Sequence, residues 1–366
     1  MTLIALAPAK GPSEAVLQNI AALVARRRTL QEGLKVFGVH FALYFATLVG
    51  AVAPLPIALN LAFAGANGVF IALLFIIGHD AGHGSFVPGR SWNLWLSRIA
   101  FVPCVHAASL WRVTHNKRHH ARTNLKGVDG VWAPMSTGEY RNTHPLRRWL
   151  ERVYRGPAGP LIYYYFEFWI HRVLLPLAPE VRWEWKRHAP DSAFALAGFL
   201  LTLTSIALAG SLFVPYRPLW LVLLVGWAIP FAIWNYLMAF TIYLNHTHPS
   251  IPWFQDCKSW KAHRTVQADS ASVIMPITIA PLYTKVMSHS VHHVQPGVPV
   301  YALPEAEAEL KKGYSGLVEY TLGLGTYKAI YKTCKLFDFE RMCWTDFNGV
   351  PTAWPLQGTA QGIAQP

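Results

Sequence analysis

Apolar residues dominate from Leu34 to about Val52 and again from about Leu55 to Ile77, with only the uncharged Ala53-Pro-Leu-Pro56 between them. A second such pair runs from about Phe194 to Val214 and from about Leu219 to Leu244, parted by Pro215-Tyr-Arg-Pro218. Each run is long enough, as a helix, to cross roughly 30 Å of hydrocarbon. Tight turns between paired runs make two hairpins. Arg26-Arg27-Arg28 precede the first and Arg182, Lys186 and Arg187 the second, so the excess of positive charge places both ends of each hairpin in the cytoplasm. The pattern predicts an all-α membrane protein with four transmembrane helices as two hairpins, and a cytoplasmic helical cap built from the segments between and after them.

Shorter patterns fill in the rest. An amphipathic helix is expected over Glu14–Arg28, an interfacial one over Ser91–Pro103, where Arg98 interrupts the apolar residues, and a polar one around Pro304–Lys312. The aromatic run Tyr163–Ile170 reads as a belt at the membrane surface, with His171 an ordinary residue of it. The domain boundaries follow: 1–33 an N-terminal cytoplasmic segment, 34–350 a membrane catalytic domain, and 351–366, rich in Ala, Gly, Gln and Pro, a disordered tail.

Composition agrees with the spans. Of 366 residues 53% are hydrophobic and only 14% charged, well short of the ~25% charged residues of soluble domains. The net charge of +13 suits anionic lipid or an acidic protein partner, and the apolar runs exclude a nucleic-acid binder. Four widely separated cysteines without a CxxC pair suggest neither a disulfide framework nor a cysteine zinc site. No basic segment followed by an apolar core and cleavage site opens the chain, so no removable signal is expected.

Charge and hydropathy leave the histidines unexplained. Of 16, eight fall in three groups: His79-Asp-Ala-Gly-His83, His115-Asn-Lys-Arg-His119-His120 and His289-Ser-Val-His292-His293. On a helix, residues four apart share a face, so His79 with His83, or His115 with His119, can meet one ion. His120 and His293 lie about 100° further round, toward a second ion. Eight imidazoles exceed the three or four that a single zinc takes, so two metals are expected. Ligand type alone fits zinc, copper, iron or nickel. Asn245-His-Thr-His-Pro249 ends the fourth run level with His79, and one of its histidines, His248 ahead of His246, is expected to join as ninth ligand. No Ser/His/Asp arrangement, GxSxG elbow or P-loop is present, which disfavours hydrolysis.

These groups in this order resemble the histidine boxes of the integral-membrane fatty acid desaturase family. Flanking residues agree, among them His120-Ala-Arg-Thr-Asn124, Gly130-Val-Trp-Ala-Pro134 and Val291-His-His-Val-Gln-Pro-Gly-Val-Pro-Val-Tyr301. The likeness covers roughly residues 35 to 350. It implies two non-haem irons, dioxygen as co-substrate and an external electron donor such as a small acidic ferredoxin. The ligands it implies are His79, His83, His115, His119, His120, His289, His292 and His293, with His248 or His246. Asp80, Asn116 and Asp129 are candidates to hold imidazoles by hydrogen bonds. The second group is spaced HxxxHH where many plant-type members have HxxHH, a difference of subfamily.

The resemblance implies oxygen-dependent desaturation of a fatty acyl chain, presented as free acid, lipid or carrier conjugate, by a multi-pass protein with its site on the cytoplasmic face. Lys117, Arg118, Lys258 and Lys261 are candidates to meet an acidic headgroup or carrier. Related chemistry at the same ligands gives alternatives: decarboxylation to a terminal alkene, or hydroxylation. The non-enzymatic alternative, metal or lipid transport, calls for polar residues at mid-span, and the four runs hold few beyond His40, Asn60, Asn67 and Asn235.

Overall fold

The computed structural model describes residues 11–263, 270–314 and 317–355. The amphipathic α1 (Glu14–Arg27) buries Val16, Ile20 and Leu23 from one face. Thr29 then caps α2 (Leu30–Val52), its hydroxyl accepting the N–H of Glu32. α3 (Ile57–His83) continues six residues past the apolar run and carries His79 and His83 on its last turns. It stops at Gly84, whose left-handed φ of 78° is open to glycine at little cost. α4 (Arg90–Phe101) is the expected interfacial helix, and α5 (Ala108–Arg112) runs into a π-helical turn, Val113–His119, and a 3-10 turn, His120–Arg122.

A reciprocal capping box of Ser136 and Glu139 opens α6 (Thr137–Asn142), and a proline at its first turn opens α7 (Pro145–Tyr154). α8 (Gly159–Tyr164) passes into a second π-helical stretch, Tyr165–Leu174. α9 (Trp185–Phe213) is the third apolar helix. The fourth comprises α10 (Leu219–Leu223), a π turn at Leu224–Ala228 and α11 (Ile229–His246). Among the described residues four helices are long and apolar enough to cross a membrane: Leu30–Val52, Ile57–His83, Arg182–Phe213 and Leu219–His246. The protein is an integral membrane protein.

The remaining helices are short: α12 (Cys257–His263), α13 (Pro281–Val286), α14 (His289–Val294), α15 (Leu303–Gly313) and α16 (Leu324–Thr333). With them, among the described residues, come five small strands. β1 (Ala271–Ile274) pairs in parallel with β2 (Val318–Thr321), and β3 (Leu336–Asp338), β4 (Cys343–Thr345) and β5 (Pro351–Ala353) form an antiparallel sheet with an irregularity at Trp344/Thr345. Strands of three or four residues are too short for alternation to register, which is why hydropathy shows only helices here. β5 takes up the first residues of the segment expected to be a tail, and that tail from residue 356 onward lies outside the described residues.

The chain forms two compact units. The first comprises Arg26–Asn116 and Pro160–Phe240, and the second the remaining described residues. In the first unit α2 packs on α3, and α9 on α10. Polar side chains tie this apolar bundle together. Asn67 donates to the Tyr44 carbonyl and the Thr47 hydroxyl, and Asn60 to the carbonyls of Gly50 and Ala53. Arg217, in the second hairpin turn, donates to Asn60 Oδ1 and to the carbonyl of Leu55 in the first. Val49, Leu200, Leu201 and Leu208 are exposed, an apolar outer face that suits lipid. Gly78 and Gly82 admit neighbours closely: a Cβ there would stand 2.6 Å from the Phe101 ring and 2.2 Å from Trp111. In the second unit Trp253, Cys334, Phe337 and Trp344 form a buried cluster, and the Trp344 indole donates to the Ile251 carbonyl.

Candidate metal centre

In the first unit His79, His83 and His115 converge, each offering a ring nitrogen within 4.8 Å of the others. Trp111 organises them. Its ring stacks on His115 at 4.4 Å and meets His79 and His83 edge-on at 5.2 and 5.5 Å. Asp80, the residue after His79, accepts from that imidazole's Nδ1 at 3.0 Å, so the His79 lone pair is left on Nε2. Asn116, expected to hold an imidazole, instead donates to the Gly82 carbonyl at 3.1 Å and ties the second histidine group to the end of α3.

The second unit holds His119, His246 and His293 in a buried trio, again within 4.8 Å. Asp129 anchors it. Its carboxylate accepts from His119 Nδ1 at 3.0 Å and from the backbone N–H of Asn124 and Val131, so the acid is itself fixed. Around the trio, His246 Nε2 lies 3.0 Å from His289 Nε2, His120 Nε2 lies 3.1 Å from His292 Nε2, and His120 stacks on His293 at 4.3 Å. His293 Nε2 is buried without a hydrogen-bond partner. Leaving such an atom unsatisfied costs about 1–3 kcal/mol. A proton does not resolve it, because burial and the four neighbouring histidines push the His293 pKa well below the ordinary imidazole range. A divalent cation preferring nitrogen ligands does fit: converging ring nitrogens, one of them directed by a buried carboxylate, with no lysine in the group among the described residues.

Two features depart from helical spacing. His115 and His119 are four apart yet belong to different groups, because the turn that carries them is π-helical and its i→i+5 pitch no longer stacks residues four apart. In the Asn245–Pro249 stretch it is His246, the last residue of α11, that joins His119 and His293. His248 lies beyond the helix end. It stacks on Tyr320 at 5.0 Å, its Nδ1 accepts the N–H of Ser250, and burial lowers its pKa to about 4. Helix register explains the difference: α11 runs two residues further than the apolar run and stops before Thr247. Of the remaining candidates, His171 is exposed and bonded to the Phe166 carbonyl, as an ordinary surface residue.

A model of the fatty acid desaturase family matches residues 25–321, more than three quarters of the chain and all of the histidine groups. The chain belongs to the fatty acid desaturase family. Among its curated relatives, this desaturase is 29% identical over 282 residues to the sn-1 oleoyl-lipid 12-desaturase of a Picosynechococcus strain, covering 75% of this chain and 76% of the relative. It is 28% identical over 254 residues to the sn-1 acyl-lipid omega-3 desaturase (ferredoxin) of a Synechocystis strain, covering 67% and 65%. To the chloroplastic omega-6 fatty acid desaturase of Glycine max it is 25% identical over 278 residues, covering 75% and 62%. The desaturase is a membrane enzyme, and the matched region closes with β2, before the β3–β5 sheet begins. Trp111, which packs against three histidines, is a site residue that spacing arguments passed over. Its position four before His115 was the available signal.

Proposed function

We propose that this desaturase inserts a double bond into the acyl chain of a membrane lipid at a two-iron centre on the cytoplasmic face, using dioxygen and electrons from a ferredoxin-like carrier. The observation that carries the reading is the carboxylate-anchored trio His119, His246 and His293 with the orphaned His293 nitrogen, inside the family match. The relatives' printed names, oleoyl-lipid and acyl-lipid desaturases and one with ferredoxin, support the substrate class and the donor.

In this reading the ligands are His79, His83, His115, His119, His120, His246, His289, His292 and His293. When bound, the irons supply an oxidant formed from dioxygen, able to remove hydrogen from an unactivated methylene. The protein's residues do the rest. Asp129 and Asp80 keep His119 and His79 in the tautomer with the lone pair on Nε2, and raise their basicity. Trp111 holds three imidazole planes in place so that no reorganisation is needed when a cation arrives. The apolar helices supply a medium in which an acyl chain loses nothing by leaving the bilayer. The balance is –CH2–CH2– plus O2, two electrons and two protons, giving –CH=CH– and two waters.

Membranes containing the protein, supplied with saturated and monounsaturated lipids, ferredoxin, its reductase, NADPH and air, are to be analysed by mass spectrometry of lipids and headspace. A new internal double bond that disappears in His119→Ala and His293→Ala is the expected product. A terminal alkene one carbon shorter, or a hydroxylated acid, would replace desaturation by the corresponding sister reaction.

A further inference from the structure

Two electrons per turnover must reach the histidine centre from outside, and one face of the second unit suits their carrier. On α7, Leu146 and Trp149 are 60% and 57% exposed, a costly display for a helix that has a buried side available. Arg141, Arg148 and Arg152 surround them. Their guanidinium groups donate to the Asn348 carbonyl at 2.8 Å, the Arg141 carbonyl at 3.5 Å and the Tyr140 hydroxyl at 2.6 Å. Arg152 also lies 5.3 Å over the Phe347 ring. Among the described residues no carboxylate pairs with any of the three: Glu151, the acid of this helix, is buried and bonded to Arg155 and Arg147. The result is a preorganised patch of uncompensated positive charge around a tryptophan and a leucine. Aromatic anchors with arginines are what protein–protein hot spots are made of.

The patch also leads inward. Arg155, three residues after Arg152, is 1% exposed and donates to the carbonyls of Trp132 and Ala133, and its guanidinium stands 5.9 Å from the Trp132 ring. Trp132 is buried and held at a left-handed φ of 54°, which a tryptophan adopts only under constraint. It lies three residues from Asp129, the carboxylate on His119. Packed side chains and a short covalent path therefore join the outer patch to the trio within one unit.

We infer that the α6–α7 face, centred on Trp149 and ringed by Arg141, Arg148 and Arg152, is the docking surface for an acidic one-electron carrier protein. This rests on the desaturase reading with an external donor. Each docking event moves one electron from the reduced carrier to a ferric centre, and two events complete a turnover.

The test uses the full chain in lipid nanodiscs and a recombinant plant-type [2Fe–2S] ferredoxin, with binding followed by thermophoresis. Arg141→Glu/Arg152→Glu is expected to weaken binding at least about tenfold at low salt and to flatten its salt dependence. Trp149→Ala weakens it by a similar factor at any salt, while Lys312→Glu on α15 leaves it unchanged. In stopped flow, the ferredoxin-driven reduction of bound iron slows in the charge-reversed variant, and dithionite reduces variant and wild type at equal rates. Equal ferredoxin affinity of wild type and charge-reversed variant, or no wild-type binding at all, overturns the inference. So does a Trp149-dependent fluorescence, taken as wild type minus Trp149→Phe, that is quenched by brominated lipid and indifferent to ferredoxin, which makes the patch a membrane contact. Binding needs no iron, so a protein that docks ferredoxin yet holds no metal refutes the di-iron reading and leaves the docking surface standing.

Discussion

His246 and His248 are chemically equivalent in sequence and sit two residues apart, and the structure separates them. His246 points a ring nitrogen at His119 and His293, while His248 is engaged with Tyr320 and Ser250. His246→Gln is therefore expected to lose iron, and His248→Gln to keep the wild-type stoichiometry, as read by elemental analysis of purified protein. Asp129→Asn keeps the shape but gives up the charge that orients His119, and an anchoring carboxylate of this kind is worth roughly 10- to 100-fold in metal affinity. Competition with a chelator measures that loss. Lys335 gives a pH signature. Burial first, and the nearby Arg155 charge second, lower its pKa to about 8, against about 10.4 for a free lysine. Between these values the unfolded chain binds more protons than the folded one, so stability rises with pH from about 8 to about 10.4, and below pH 8 the burial cost is felt in full. Melting temperatures at pH 7.5 and 9.5 should show this rise in wild type, and a smaller one in Lys335→Met.

At the scale of elements, glycine spacing on α3 decides how close the histidine trio can come to its tryptophan. A Cβ on Gly82 would lie 2.2 Å from the Trp111 ring, so Gly82→Ala must move Trp111 and the imidazoles packed on it. Overpacking of this kind costs about 1–3 kcal/mol, and the melting temperature and the iron content should fall together. The two hairpin turns look featureless in sequence, short and almost uncharged. Arg217 is the exception, and its bonds to Asn60 and Leu55 join the turns directly. Arg217→Leu removes charge-assisted hydrogen bonds worth about 1.5–3 kcal/mol each. Thermal unfolding in nanodiscs should register the loss, with the metal site untouched. The π turn at Val113–His119 shows why a helical reading pairs His115 with His119 and the structure does not: helical periodicity assumes a pitch that this turn does not have.

For the whole molecule, the four spans make a topological claim that the protein's own cysteines can test. Cys104, Cys334 and Cys343 are buried and Cys257 is exposed, among the described residues. A membrane-impermeant maleimide should label the folded protein at Cys257, from the cytoplasmic side of oriented vesicles and not from the other. Labelling from the opposite side would reverse the orientation read from Arg26–Arg28 and the flanks of the second hairpin. The spans themselves and the membership of the fatty acid desaturase family were legible in the chain, because hydropathy over 20 residues and grouped histidines are local signals.

The sequence by itself determined the four apolar helices, their pairing by tight turns, and the eight grouped histidines, since each rests on neighbours in the chain. Tertiary structure alone decided how the imidazoles divide into two groups, that His246 and not His248 lies beside His119 and His293, and that Asp80 and Asp129 hold imidazoles whereas Asn116 holds a backbone carbonyl. The same is true of Trp111 as the plate behind three histidines and of the arginine face on α7. These depend on helix pitch, helix ends and partners far away in the chain, where a change of one residue in register turns a side chain by about 100°. Spacing lists the groups able to bind, and packing decides which of them meet.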